Sequence, residues 1–421
     1  MSFATLGLSP ALLEALSSTG INSPTPIQVG AIAPAVQGRD VLGSAQTGSG
    51  KTLAFALPVL QHLLHAQKTT QAPLALVLVP TRELATQVGA VMQSLAQSLT
   101  PRVRVSVVFG GVSINPQMMA LRGGTHVVVA TPGRLLDLVA HNALSLAHIE
   151  QLVLDEADRM LDLGFADELA SILALLPPKR QNLFFSATLD AGVQALAQGL
   201  LHSPERVDTN QADQHPVRIT QRAILVDTNR RHTLLRHLLA THDWPQVLVF
   251  VATKYAAEIA ADKLRKVGIQ AEPFHGELSQ GKRSQVLMDF KALRLRVVVA
   301  TDLAARGLDV AGLAAVVNFD LPRSTQDYTH RIGRTGRFDT EGTALSLVSP
   351  ASAAHWRLID KRHGLALALE TVVGFEAQEE VRQASADGGI KGRRPSKKDR
   401  LRAQAAALGE SSQTAPVDPK N

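Results

Sequence analysis

Eight consecutive residues near the start of the chain have the composition of a phosphate-binding loop. Their glycines would let backbone N–H groups curl around an anion, and the helix predicted after them would add the partial positive charge of its N-terminus. Lys51 is placed to reach terminal phosphates, and the Thr52 hydroxyl is placed to ligate Mg²⁺. The sequence therefore predicts a nucleotide site, with an ordinary glycine-serine turn as the alternative. The eight residues are Ala45, Gln46, Thr47, Gly48, Ser49, Gly50, Lys51 and Thr52.

A second stretch, Asp155-Glu156-Ala157-Asp158, carries three carboxylates in four positions. It follows an apolar run, so Asp155 would end a buried strand, where a carboxylate can hold Mg²⁺ directly or through water. Glu156 is placed to orient or deprotonate an attacking water, because phosphoryl transfer depends on positioning more than on covalent chemistry. An acidic helix N-cap would explain one of these carboxylates but not all of them.

Polar clusters also follow most of the other apolar runs. In an open parallel sheet, ligands bind beyond the carboxyl ends of the strands. We therefore expect these clusters to lie around one site. In chain order they are Thr81-Arg82, Gly110-Gly111, Thr131 to Arg134, Ser186 to Thr188, Thr301-Asp302, Arg306 to Asp309 and His330 to Arg337.

The elements that must position these clusters alternate regularly between strand and helix. Short apolar strand patterns are followed by amphipathic helical patterns, which predicts parallel sheets with helices on both faces. A polar, helix-poor stretch around residues 210–216 interrupts the alternation, and beyond it the pattern restarts. We therefore predict an α/β protein of two tandem domains. The predicted boundaries are residues 1–208, a linker at 209–217, residues 218–370, and a basic, mostly disordered tail at 371–421.

The composition of the chain excludes several classes of protein function. The chain of 421 residues contains no cysteine, which excludes disulfides, cysteine-ligated zinc and thiol catalysis. No apolar run approaches the length of a membrane span, and no secretion signal is evident at the N-terminus. We therefore expect a cytoplasmic protein without a membrane partner. The formal net charge of +6 permits an anionic partner but does not require one.

The order and spacing of these clusters over residues 1 to about 370 resemble a DEAD-box RNA helicase of superfamily 2. The segment from Phe3 to Gln28 is most similar to the bacterial RhlE-like branch, and Ala45 is usual in the family's loop although the generic pattern has glycine there. The resemblance implies two tandem RecA-like domains, with ATP and Mg²⁺ as cofactors. It also implies that Gln28 reads the adenine edge, that Phe3 stacks on the base, and that Asp309 accepts from the ribose.

Near the C-terminal end of the second domain, the resemblance implies a contribution across the interdomain cleft. Arg334 and Arg337 would neutralise charge on the γ-phosphate, as an arginine finger does. A solvated basic surface or an RNA phosphate patch is the alternative. His330 would link the two domains, and Ser186 and Thr188 would couple the cleft to RNA.

The family's RNA contacts are less distinct in this sequence. Short hydroxyls, arginines and exposed amides suit phosphates and 2′-hydroxyls, so the binding of single strands and short duplexes would ignore sequence. In the first domain the expected contacts are Thr81, Arg82, Gly111, Thr131 and Arg134, and in the second they are Thr253, Arg283, Thr301 and Asp302.

These features predict RNA-stimulated ATP hydrolysis with local unwinding of short duplexes or remodelling of ribonucleoproteins. An ATP-gated RNA clamp with little unwinding, a non-catalytic RNA scaffold and a DNA helicase are the alternatives. Further partners would be ribosomal precursors or RNA-decay proteins, and we expect a monomer.

The predicted tail contains a basic cluster whose role the sequence leaves open between an RNA-contacting arm and a solvated charge run. Residues 391–402 carry seven Lys and Arg residues against the single acid Asp399. A flexible basic segment can follow an RNA backbone and release condensed counterions as it binds.

Truncation after about Glu376 is therefore expected to leave the ATPase activity at saturating RNA intact while RNA affinity weakens. The slope of log K against log salt concentration should become shallower, because fewer counterions are released. A salt titration of RNA binding for the full-length and truncated chains measures this. Coinciding slopes would identify the cluster as a solubilising tail only.

Overall fold

The computed structural model describes residues 2–45, 48–66, 72–209, 219–305, 312–336 and 341–379. Within these ranges the chain forms two α/β domains, each built on a parallel sheet of seven strands. This confirms the predicted fold class. No helix in the described ranges combines the length and the hydropathy that a bilayer crossing requires.

The first domain places its strands so that their carboxyl ends meet at one edge. The sheet order is β3-β4-β2-β5-β6-β1-β7. Its strands are β1 (Val41–Ser44), β2 (Ala75–Leu78), β3 (Val105–Val108), β4 (Val127–Ala130), β5 (Gln151–Leu154), β6 (Gln181–Ser186) and β7 (Glu205–Asp208). Its helices are α1 (Pro10–Ser18), α2 (Pro26–Val36), α3 (Lys51–Ala66), α4 (Arg82–Ala96), α5 (Asn115–Leu121), α6 (Pro132–Ala140), α7 (Ala157–Asp162), α8 (Ala166–Leu175) and α9 (Ala191–Leu200).

The second domain repeats this plan with the order β10-β11-β9-β12-β13-β8-β14. Its strands are β8 (Ile219–Leu225), β9 (Val247–Val251), β10 (Ala271–Phe274), β11 (Val297–Thr301), β12 (Ala315–Asn318), β13 (Gly342–Val348) and β14 (Leu369–Glu370). Its helices are α10 (Arg231–Thr241), α11 (Lys254–Arg265), α12 (Gln280–Lys291), α13 (Asp302–Ala305), α14 (Thr325–Ile332) and α15 (Ala353–His363).

The central strands are buried on both faces because helices cover each sheet on both sides. β2, β4, β5 and β9 consist of buried residues along their whole length, which explains why they read as continuous apolar runs instead of alternating patterns. In the first domain one core cluster gathers α1 to α4 and the other gathers α6 to α9. The two cores lie on opposite faces of the sheet.

The structure adds elements that the sequence pattern did not reveal. β7 pairs in register with β1 at the sheet edge, although its residues alternate between half-buried and exposed. β13 lies between β12 and β8. The predicted linker lies outside the described residues except for Thr209, which donates its backbone N–H to the carbonyl of Ser44.

The second domain extends beyond the predicted boundary at residue 370. Phe375 stacks against His237 with ring centroids 5.3 Å apart, and the Arg230 guanidinium lies 5.2 Å from its ring centroid. Asp227 accepts hydrogen bonds from the backbone N–H groups of Gln378 and Glu379 at 3.0–3.1 Å. The described residues 371–379 therefore belong to the folded domain, and the predicted basic cluster at 391–402 lies outside the described residues.

A chain that ends after Glu379 should keep the melting temperature of the second domain, whereas a chain that ends after Glu370 should melt lower by about 5 °C or more. The shorter chain loses the Phe375 packing and leaves the buried Asp227 carboxylate without its two backbone donors. Thermal unfolding followed by circular dichroism measures the difference. Equal melting temperatures would show that residues 371–379 do not contribute to the fold.

Candidate functional site

The phosphate-binding loop runs from the end of β1 to the start of α3. Lys51 is the first residue of α3, is 6% exposed, and donates from Nζ to the carbonyl of Ala45 at 2.9 Å. Gly48 and Gly50 have φ values of 83° and 96°, which side chains disfavour. Ser49 lies in the turn between the two glycines, and Thr52 is the second residue of α3. The predicted loop residues Gln46 and Thr47 lie outside the described residues. The described part of the loop has the strand–turn–helix context that phosphate binding requires.

Gln28 connects this loop to the N-terminal segment. Its Oε1 accepts from the backbone N–H of Thr25, and its Nε2 donates to the carbonyl of Gly50, both at 2.9 Å. The first of these bonds is half of a capping box that begins α2. Gln28 is only 2% exposed, so the predicted adenine-reading amide also holds the loop in place.

Phe3 is placed differently from its predicted role. The ring is 5% exposed and belongs to the core cluster that α1, α2 and α3 share. In this arrangement the ring has almost no free face on which a base could stack. Phe3 therefore anchors the N-terminal segment that carries Gln28.

The carboxylate cluster follows β5, beside the loop. Asp155 is 3% exposed, and burial raises its pKa to about 7, although the nearby Lys51 ammonium acts in the opposite direction. A bound cation would hold this carboxylate ionised. In the described ranges no group of three or more His, Asp or Glu side chains could hold a metal ion by itself. The Asp155 carboxylate and the Thr52 hydroxyl are oxygen donors of the kind that Mg²⁺ takes from a protein when phosphates and water complete its coordination.

Glu156 is held in an unusual conformation between the strand and α7. Its φ of 54° lies in the left-handed region, which costs a non-glycine residue about 1–3 kcal/mol. Its Oε2 accepts from Nη1 of Arg159 at 3.2 Å, and both side chains are buried. The strain and the buried ion pair fix the direction in which the carboxylate points.

Asp158 connects the carboxylate cluster to the turn after β6. Its Oδ2 accepts from both the backbone N–H and the hydroxyl of Thr188 at 3.1 Å. Ser186 is fully buried and donates its hydroxyl to the carbonyl of Thr188 at 2.7 Å. Of the two predicted coupling residues, Thr188 is therefore bonded directly to the carboxylate cluster, and Ser186 is connected to it through Thr188.

His330 and Arg334 of the second domain lie against this cluster. Burial and the charges of Arg159 and Arg334 lower the pKa of His330 to about 4, while Asp158 and Glu156 act in the opposite direction. Arg334 is 6% exposed and lines a small cavity together with Arg159 and His330. The two domains thus meet at the carboxylates, and the predicted Arg337 and Asp309 lie outside the described residues.

The predicted RNA contacts of the first domain converge on a cleft of about 620 Å³. Thr81 and Thr131 are the N-cap residues of α4 and α6, and the Thr131 hydroxyl accepts from the backbone N–H of Gly110 at 3.3 Å. Arg134 is 7% exposed and donates to the carbonyl of Val112 at 2.6 Å. The other lining residues from this set are Arg82, whose guanidinium lies over the carbonyl of Gly111, and Gly111 itself, with a φ of 77°.

The predicted RNA contacts of the second domain differ in whether their side chains already form ion pairs within the protein. Thr253 is exposed and caps α11, and Thr301 ends β11. Asp302 instead receives two bonds from the Arg331 guanidinium at 2.6 and 2.7 Å, so its carboxylate is engaged within its own domain. Arg283 lines the same cleft but is 4% exposed, and its Nη2 lies 2.9 Å from Oε1 of Glu83 in the first domain.

Three residues that form ion pairs or hydrogen bonds in the site and the cleft were not predicted from the sequence. Arg159 pairs with Glu156, Glu83 pairs with Arg283 across the cleft, and Arg331 bonds to both Asp302 and Asn318. Each lies next to or within a motif that was singled out, which is the only signal the sequence offered. Their partners lie on other elements and become visible only in the fold.

The chain has two tandem parallel sheets, and a phosphate-binding loop and a carboxylate cluster lie at the carboxyl edge of the first one. This combination is typical of two-domain enzymes that depend on a nucleotide. A family model described as DEAD/DEAH box helicase matches residues 25–196, and one described as helicase conserved C-terminal domain matches residues 230–339. The chain belongs to the DEAD-box family of ATP-dependent RNA helicases.

Relatives and solved structures agree with this assignment. The ATP-dependent rRNA helicase RRP3 of Candida albicans is 42% identical over 348 residues, which cover 82% of this chain and 64% of that protein. The ATP-dependent RNA helicase CshA of Listeria monocytogenes is 38% identical, with coverage of 85% and 68%. The matched region thus spans about two thirds of these relatives. A structure of S. cerevisiae Dbp5 bound to RNA and ADP BeF3 is 29% identical, has a TM-score of 0.76, and is matched over 88% of this chain and 95% of that one.

Gly50→Ala should lower ATP affinity about tenfold or more, a loss of about 1.4 kcal/mol. An added Cβ would lie 2.4 Å from Nε2 of Gln28 and 2.8 Å from Oγ1 of Thr25, at a φ that side chains disfavour. Gly38→Ala is the matched control, because its φ of 82° carries the same strain while its Cβ meets nothing within 4 Å. Calorimetric titration measures both, and an unchanged affinity of Gly50→Ala would contradict the role of this contact.

Proposed function

We propose that this protein hydrolyses ATP in an RNA-stimulated manner and uses the reaction to unwind short RNA duplexes locally or to remodel ribonucleoproteins. One observation carries the proposal: Glu156, Asp158 and Arg159 of the first domain lie close to His330 and Arg334 of the second. A site with contributions from both domains is complete only when the domains are together. RNA binding across the cleft then controls the reaction by holding the domains together.

In the proposed roles, the loop and Gln28 bind the nucleotide. Lys51 and the backbone N–H groups of the loop hold the phosphates, and the Gln28 amide pairs with the adenine edge, for which it offers both a donor and an acceptor. Asp309 accepts from the ribose. Because Gln28 also bonds to Gly50, base recognition and the loop conformation are directly connected.

Thr52 and Asp155 are the proposed protein ligands of Mg²⁺. The ion supplies charge neutralisation to the phosphates when it is bound. The raised pKa of Asp155 supports the assignment, because a buried carboxylate of this kind favours a cationic neighbour over isolation.

Glu156 is the proposed residue that orients and deprotonates the attacking water. The hydrogen bond from Arg159 and the left-handed backbone conformation of Glu156 together fix the position of this carboxylate. Arg334 and Arg337 neutralise the charge that develops on the transferred group, a contribution of about 10³–10⁵ in rate for arginine fingers. The protein thus supplies positioning and charge, which are the main requirements of phosphoryl transfer.

The proposed coupling between RNA and the nucleotide runs through Asp158. Thr188 donates to Asp158, Ser186 donates to Thr188, and His330 faces Asp158 from the second domain. RNA would bind along the cleft through Thr81, Arg82, Gly111, Thr131 and Arg134, with Thr253 and Thr301 on the other side. Arg283 and Asp302 contribute through their ion pairs, by fixing the two cleft walls.

We further propose a placement in the RhlE-like branch, on the N-terminal segment from Phe3 to Gln28, and a role on ribosomal precursors. The rRNA helicase among the relatives supports the latter. A cytoplasmic monomer without a membrane partner remains part of the proposal.

The test is steady-state ATP hydrolysis with and without single-stranded RNA, together with unwinding of a short duplex. RNA should stimulate hydrolysis, and Glu156→Gln should lower kcat by about 10²-fold or more while nucleotide and RNA binding remain. Glu14→Gln, an exposed position on α1, is the matched control and should match the wild type. Hydrolysis that is independent of RNA would contradict the proposal, and stimulated hydrolysis without unwinding would identify an ATP-gated clamp.

A further inference from the structure

A groove runs between α10 and α11 on the outer face of the second domain, away from the nucleotide site. Its volume is about 330 Å³. Arg236 lines it from α10 and Lys263 from α11, and Lys266 lies just beyond the end of α11. Asn229 and His232 lie at the end where α10 begins. We refer to this feature as the α10–α11 groove.

Two of the three Lys and Arg residues that line the groove are not neutralised by an ion pair within the described part of the chain. In the described part of the chain, no carboxylate lies within 4.0 Å of Arg236 or Lys263, although both side chains are exposed. Lys266 pairs with Asp262 of α11 at 2.7 Å. Burial lowers the pKa of His232 to about 4, and the charges of Lys263 and Arg231 act in the same direction, while Asp320 acts in the opposite direction. The groove therefore presents a positive potential that favours an anion.

The position of the groove connects it with the interdomain cleft. α10 follows β8 and α11 follows β9, so both helices begin at the carboxyl edge of the sheet and run away from it. Thr253, a proposed RNA contact, caps the first turn of α11. Glu379, the last residue described before the basic tail, is bound to Asp227 close to Asn229 in the chain. The end of the groove lined by Asn229 and His232 thus lies at the carboxyl edge of the sheet, whereas Lys263 and Lys266 lie toward the far end of α11.

We propose that the α10–α11 groove binds the backbone of single-stranded RNA that extends beyond the interdomain cleft. The inference rests on the proposed function, since it extends the RNA path of the same protein. Arg236, Lys263 and Lys266 contact phosphates, so binding is sequence-independent and releases counterions. The groove lengthens the RNA site without taking part in hydrolysis.

The lining favours a nucleic-acid backbone over a protein segment. Peptides that dock in helix grooves insert apolar anchors into pockets. Here the apolar lining residues Leu235 and Leu264 are 1% and 3% exposed, so the floor is already filled. Phosphates need only accessible cations, which the groove has.

The test compares RNA strands of two lengths on the full-length chain. A short strand of about six nucleotides fills the cleft alone, whereas one of about 16 nucleotides also reaches the groove. The groove variant is Arg236→Glu with Lys263→Glu. The matched control is Arg357→Glu with Lys361→Glu on α15, which changes the net charge equally on the opposite face of the sheet. Fluorescence anisotropy across a salt series measures the affinity, and thermal unfolding confirms that both variants fold.

The groove variant should bind the long strand about tenfold more weakly than the wild type. The slope of log K against log salt concentration should be shallower by about 1.4, which is the value for the loss of two phosphate contacts on a single strand. Its affinity for the short strand and its ATPase stimulated by that strand should equal those of the wild type. An unchanged long-strand affinity, or an equal loss in the control variant, would overturn the inference. Failure of the wild type itself to bind the short strand would contradict the proposed function instead.

Discussion

The burial of charge between the two domains is the constraint on which the rest of the structure depends. Glu156, Asp158 and Arg159 are each at most 4% exposed, and Arg334 of the second domain is nearly as buried. Isolated charges in such positions cost several kcal/mol each, so every one of them must have a partner. The partners come from both domains, because Arg159 pairs with Glu156 while His330 and Arg334 lie across the interface. The position of these carboxylates therefore depends on the position of the second domain.

The same reasoning applies to the opposite wall of the cleft. Glu83 and Arg283 form an ion pair at 2.9 Å with both side chains 5% exposed. A buried pair of this kind contributes little net stability, but the loss of one partner costs about 3–5 kcal/mol. It therefore favours one relative arrangement of the domains over others without holding them together strongly. Such an interface suits an enzyme in which ligand binding shifts the equilibrium between open and closed arrangements of the two domains.

The strands and the phosphate-binding loop were predictable from the sequence, whereas contacts between residues that are distant in the sequence were not. The strands at 151–154 and 247–251 and the loop ending at Thr52 follow from apolar runs and glycine spacing, which act over a few residues. β7 was missed because an edge strand is half exposed and lacks an apolar pattern. The family resemblance predicted that Asp302 contacts RNA, and no local rule reveals Arg331, which is 29 residues away and occupies its carboxylate. The resemblance also predicted that Phe3 stacks on a base, whereas its ring lies in the core.

The central claim is that nucleotide and RNA favour the same closed arrangement of the two domains. Linkage then requires each ligand to tighten the binding of the other by the same factor. The most direct measurement is the affinity for RNA with and without a non-hydrolysable ATP analogue, together with the affinity for the analogue with and without RNA. The account predicts two equal factors in the range of about 5–150. Independent binding, with both factors equal to one, would contradict it.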